Sequence, residues 1–89
     1  MKTILKYELK IKEEQWLEMP IGAKILTAQI QDDVIVLWVL VEPEFNKEDR
    51  KFLIYGTGDM ITEIGLEFIA TVQAGDLVWH IFERISTWY

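Results

Sequence analysis

The run VIVLWVLVE, residues 34–42, constrains the fold of this chain more than any other stretch. At the strand period of two it places Val34, Val36, Trp38 and Leu40 on one face and Ile35, Leu37, Val39 and Val41 on the other. An antiparallel strand with one wet face shows polar residues at every second position, so this one must be covered on both sides. LVWHIFERI (77–85) repeats the pattern, with Leu77, Trp79 and Ile81 opposite Val78, His80 and Phe82. A chain of 89 residues has few elements left to cover two such strands. Another subunit is therefore expected over one of the faces, most simply in a two-fold homodimer or a higher closed homo-oligomer.

The other segments fill in an all-β reading. KTILKYELKI (2–11) alternates cleanly, with Lys2, Ile4, Lys6, Glu8 and Lys10 against Thr3, Leu5, Tyr7, Leu9 and Ile11. KEEQWLEMPIG (12–22) reads as a polar connection running into a turn at Pro20 and Gly22, pinned to the core by Trp16 and Met19. KILTAQIQ (24–31), the Asp32-Asp33 turn and the 34–42 run form a hairpin, since paired Asp residues tolerate turn geometry. EPEFNKEDRK (42–51) reads as an exposed loop, KFLIY (51–55) as a strand and DMITEIGLE (59–67) as a loop. EFIATVQ (67–73) and the last strand make a second hairpin around Gly75-Asp76. About six short strands with no amphipathic helix predict one β domain over residues 1–89, a small antiparallel sandwich or barrel.

Charge and composition exclude several function classes. The net charge is −6, and apart from Arg84 every Lys and Arg is scattered through the first 51 residues. No basic stripe can follow a nucleic-acid backbone, so nonspecific nucleic-acid binding is not expected. There is no Cys, which rules out disulfides and thiolate metal sites. Without a signal peptide or an apolar run of about 18 residues, the expectation is a cytoplasmic protein with no membrane partner.

KFLIYGTGDM (51–60) raises the question of a phosphate-binding loop. Such a loop needs further glycines or a lysine and a helix whose N-terminus meets the anion; GTG followed by DM has none of these. A tight turn with one left-handed glycine explains the pattern, leaving Thr57 and neighbouring amides as donors if the turn lines a pocket. His80 is the sole histidine and no carboxylates stand at ligand spacing, so neither a metal nor any other cofactor is expected. With Ser86 the only serine, nucleophile and base arrangements are nearly excluded, and the chain reads as not an enzyme.

A binding site is the remaining option. Gln29 and Gln31 share a strand side with Thr27, and Thr71 and Gln73 form a similar set: either two solvated faces or edges that read a ligand's polar groups. Trp16, Trp38, Trp79 and Trp88 can stack on a base or fill the core, and His80 can form a pocket wall or a bonded structural histidine. Lys24, Arg50, Lys51 and Arg84 are the cations available for a phosphate. The terminal Trp88-Tyr89 is either frayed or docked on a partner.

The ordered set KYEL, MPIGAKIL, QIQ, LWVLV, GTG, FIATVQ and VWHIFE, spanning residues 2–83, resembles a family of small uncharacterised proteins encoded by bacteriophages and some bacteria, especially actinobacteria. Relatives commonly carry Trp where this chain has Leu5, and often Ala where it has Val39. The resemblance implies an accessory phage protein of the host cytosol and brings no catalytic residue with it. Such proteins often counter host defence, by sequestering a small nucleotide signal or by occluding a protein surface. The leading expectation is the first, a noncatalytic homo-oligomer that sequesters a small nucleotide-like immune signal near its subunit contacts through stacking, the polar edges of Gln29, Gln73 and Thr57, and the four cations; the −6 charge weighs against an anionic ligand. The second would use an acidic, aromatic surface against a host defence or regulatory protein. A structural module of a phage assembly is a third reading.

Overall fold

The computed structural model describes residues 1–85 and is all-β, with seven strands. These are β1 (Thr3–Leu9), β2 (Glu14–Pro20), β3 (Lys24–Gln31), β4 (Val34–Val41), β5 (Lys47–Gly56), β6 (Leu66–Ala74) and β7 (Leu77–Arg84). They form two antiparallel sheets, one of three strands in the order β1-β4-β3 and one of four in the order β2-β5-β7-β6. Beyond these ladders, β3 packs against β6 and so joins the sheets into a small sandwich.

Turn chemistry sets the hairpins. Asp32 and Asp33 both adopt left-handed φ, +51° and +64°, the signature of the two-residue turn whose twist matches paired strands. Gly75, at φ +62°, reverses the chain between β6 and β7. Between β1 and β2 the chain switches sheets, and the buried Gln15 amide holds that corner. It donates to Lys10 O at 2.7 Å and accepts from Lys10 N at 3.0 Å, as a neighbouring strand would.

Alternation supplies the core: Ile35, Leu37, Val39 and Val41 of β4 face Met19 of β2, Phe52 and Ile54 of β5, Ile81 of β7 and Val72 of β6. Register slips at Leu26 in β3 and Ile69 in β6 add one residue to each of the strands that meet across the sheets. Because of the first, Ile25 faces the core opposite Val39 while Thr27 lies outside opposite Trp38, although both are odd-numbered.

The doubly apolar strands are largely covered within one chain. On the outer face of β4, Val36 keeps only 1% exposure and Trp38 is half-buried. Trp38 Nε1 donates to Gln29 Oε1 at 2.8 Å, and Lys6 Nζ donates to Gln31 Oε1 at 2.9 Å. Long polar side chains from β1 and β3 thus lay their stems over the apolar face and keep their heads in water.

Two segments differ from the sequence reading. Residues 12–22 contain the seventh strand, β2, and β5 begins at Lys47 inside the expected 42–51 loop. Pro20 is tolerated because β2 is an edge strand, and the charged start of β5 is stable because it pairs with β2. Met19 is buried as expected, whereas Trp16 is 61% exposed and does not anchor the core. Ser86 and the Trp88-Tyr89 tail lie outside the described residues.

Candidate functional site

The outer face of the four-stranded sheet carries the densest chemistry. Strand pairing aligns Glu14, Trp16 and Glu18 of β2 with Leu53, Lys51 and Asp49 of β5, and Lys51, Leu53 and Tyr55 with Arg84, Phe82 and His80 of β7. Phe68 on β6 lies opposite Phe82, which makes edge-to-face contacts with both Phe68 and Tyr55 at centroid separations of 5.5 and 5.9 Å. Leu53 and Tyr55 are buried although they lie on the outer side of the sheet. Burial pushes the Tyr55 phenol above its ordinary pKa.

The cover is the connection from Gly56 to Gly65. It opens with a turn in which Asp59 N donates to Gly56 O at 3.0 Å, Gly58 takes φ +94°, and Asp59 Oδ2 accepts from Gly56 N at 2.7 Å. A left-handed glycine at the third position is what a type II turn demands, and an unstructured connection rather than a helix follows. GTG is therefore a turn, as the missing glycine and lysine imply. Thr57 Oγ1 lies 2.8 Å from His80 Nε2, and Thr71 Oγ1 lies 2.9 Å from His80 Nδ1, so both ring nitrogens are engaged. Glu63 clamps the far end, accepting from Lys51 Nζ at 2.9 Å and Arg84 Nη1 at 3.0 Å. Lys51 first, then Arg84, holds the Glu63 carboxyl below its ordinary value, and Glu63 followed by Glu14 raises Lys51.

Around the corner of this face opens a cleft of about 520 Å³ lined by Trp16, Glu48, Asp49, Arg50, Lys51, Glu83, Arg84 and Ile85. Lys51 Nζ stands 5.8 Å from the centroid of the Trp16 ring, within cation–π range. Arg50 points inward from β5 and forms a two-pronged pair with Glu83, Nε to Oε2 at 2.5 Å and Nη2 to Oε1 at 2.8 Å, while Nη1 donates to Ala23 O. Glu83 raises the Arg50 pKa. Each cation of the cleft thus has a carboxylate partner, and Glu48 and Asp49 add further negative charge.

The expected ligand residues do not converge on one pocket. Arg50, Lys51 and Arg84 share the cleft just described, with Trp16 as its aromatic wall. Gln29 and Gln73 meet with Thr71 in an open groove between β3 and β6, where Gln29 also holds Trp38 and Gln73 Nε2 donates to Gly75 O. Lys24 and Arg50 border another groove between those strands. Thr57 and His80 are bonded to each other, and Trp79 faces the core with its buried Nε1 lacking a hydrogen-bond partner among the described residues. Among the described residues no cluster of three potential metal ligands occurs, and no helix is long and apolar enough to cross a membrane.

Sequence reasoning missed Glu63 and the Glu14-Trp16-Glu18 row. The row was visible as alternation with Gln15, Leu17 and Met19, overshadowed by the turn signals at Pro20 and Gly22. Glu63 had no signal, because only the folded connection brings it to Lys51 and Arg84.

Fold and surface together define a small two-sheet antiparallel β domain with an acidic, aromatic outer face. The chain belongs to the family described as Domain of unknown function DUF7352, whose profile matches residues 1–87. No curated protein and no solved structure matches it.

Proposed function

We propose that this protein is a noncatalytic accessory module that binds a protein partner through the acidic, aromatic outer face of its four-stranded sheet. The observation that carries this reading is Trp16, a large ring left 61% exposed between Glu14 and Glu18 while every cation of the adjoining cleft is already paired. Exposed tryptophans are the side chains that most often dominate protein interfaces, and the surrounding carboxylates select a basic counterpart. In line with the resemblance to phage-encoded proteins, the target would be a host defence or regulatory protein in the cytosol, inhibited by occlusion of a basic surface. Affinity capture from host lysate with the intact protein and with Trp16→Ala tests this. A stoichiometric partner lost with Trp16→Ala supports the reading; no partner, or one retained equally by both proteins, overturns it.

A second reading is sequestration of a small nucleotide signal in the 520 Å³ cleft, which lies in the size range of ligand sites and pairs the Trp16 ring with Lys51 and Arg84. An anionic ligand would have to displace Glu63. Native mass spectrometry with cyclic and ADP-ribose-derived nucleotides tests it, and no adduct at saturation counts against it. The same spectra test a homo-oligomer, for which the outer face of the three-stranded sheet, with Ile4 and Leu26 exposed, is the proposed contact.

A further inference from the structure

The free edge of β2 offers a more specific interaction. Among the described residues β2 pairs only with β5, and no strand of theirs lies beside its other edge. Two hydrogen bonds fix which residues face that edge: Ile54 N donates to Glu13 O at 3.0 Å, and Ile21 N donates to Asn46 O at 2.8 Å. In an antiparallel ladder hydrogen-bonded pairs recur at every second residue, so Gln15, Leu17 and Met19 direct their backbone groups at β5. Glu14, Trp16, Glu18 and Pro20 direct theirs outward. Pro20, without an N–H, is suited to that parity, and its carbonyl is taken by Ala23 N at 3.1 Å. Three consecutive outward positions therefore present an N–H and a C=O that no ladder among the described residues uses.

Their side chains share the outer face and specify what can pair there. Glu18 lies directly opposite Asp49, and neither forms an ion pair among the described residues. Like charges in direct cross-strand opposition destabilise a sheet, and a cation set beside Glu18 would relieve this pair. Trp16 presents a ring to which a cation is already drawn, the Lys51 ammonium. A second copy of this chain fits poorly. Antiparallel β2 to β2 pairing centred on Trp16 would set Glu14 against Glu18 of the other copy, twice over.

We propose that β2 accepts, by strand addition, an extended basic segment of a partner protein, with Lys or Arg at alternate positions facing Glu14, Trp16 and Glu18. This rests on the protein-binding reading above and assigns it an edge, a register and a charge pattern. Main-chain bonds to the Glu14, Trp16 and Glu18 edge supply affinity, and the alternate cations supply selectivity.

The test is amide NMR on the intact protein with a short synthetic peptide carrying Lys or Arg at alternate positions around a central Arg. Saturable shifts at Glu14, Trp16 and Glu18 are expected, with affinity falling as salt rises. Two versions N-methylated at alternate amides separate ladder pairing from charge attraction: one should lose about tenfold or more in affinity and the other should bind nearly as the parent does. Glu18→Lys should abolish binding of the basic peptide and admit its Glu-substituted counterpart. Equal binding by both N-methylated versions, absence of saturable shifts, or β2 self-pairing at high concentration overturns the proposal. A captured partner that depends on Trp16 but leaves amide exchange at Glu14, Trp16 and Glu18 unchanged overturns the strand addition alone. Failure to capture any Trp16-dependent partner overturns the broader reading.

Discussion

Replacing Glu83 with Ala strands the Arg50 guanidinium inside the sandwich, and the geometry sets the cost. Glu83 accepts two of its bonds, at 2.5 and 2.8 Å, and the third goes to the Ala23 carbonyl that follows β2. Breaking a buried pair from one side costs ~3–5 kcal/mol. Here the two side chains retain 18% and 10% exposure, so solvent reaches the stranded charge and the expected loss is about 2–4 kcal/mol. For a chain of this length the total stability is roughly 5–13 kcal/mol, and such a loss lowers Tm by roughly 10–25 °C. Urea unfolding followed by tryptophan fluorescence, on the parent, Glu83→Ala, Arg50→Met and the double variant, measures the coupling. The double variant should be more stable than Glu83→Ala because no charge is left unpaired. A Glu83→Ala loss below about 0.5 kcal/mol, the range of ordinary surface changes, or a double variant no more stable than Glu83→Ala, would refute the reasoning.

Glu63, held below its ordinary carboxyl value by Lys51 and Arg84, stabilises the fold above its unfolded pKa near 4.5, and this contribution fades as pH falls through the lowered folded value. The stability difference between the parent and Glu63→Gln should therefore shrink in acid; a constant difference from pH 7 down to pH 3 by thermal unfolding would contradict the clamp. Asp33→Val places a β-branched residue at φ +64° and should cost ~1–2 kcal/mol by urea denaturation, whereas Asp33→Gly should be nearly neutral. Phe52→Ala, at a fully buried ring, should cost ~3–5 kcal/mol. Trp16→Ala should stay within about 0.5 kcal/mol of the parent, and a larger loss would return Trp16 to the core.

Much of the fold was legible because two-residue periodicity is a local property. β1, β3, β4, β6 and β7 follow from alternation and from turn residues whose backbone preferences are intrinsic, Asp32-Asp33 and Gly75. β2 was overshadowed by a proline that an edge strand tolerates, and the start of β5 by charges that pairing with β2 makes compatible with a strand. The doubly apolar faces of β4 and β7 correctly announced that both sides need cover. They did not announce that Trp38 would be roofed by Gln29, Val36 flanked by Gln29 and Glu8, and Tyr55 closed in beneath a connection tied down by Glu63.

The candidate site divides along the same line. Sequence alone determined its ingredients: an acidic chain rich in tryptophan, without thiols and with a single histidine, in which GTG is a turn. Tertiary structure decided which of these meet. Sheet order left β2 at an edge with Trp16 exposed, the folded connection gave Glu63 to Lys51 and Arg84, and the inward turn of Arg50 gave it Glu83 as a partner. Away from the register slips in β3 and β6, local pattern fixes which face a side chain takes, whereas its partner depends on strands and connections distant in sequence, and that distance is closed only by the packed fold.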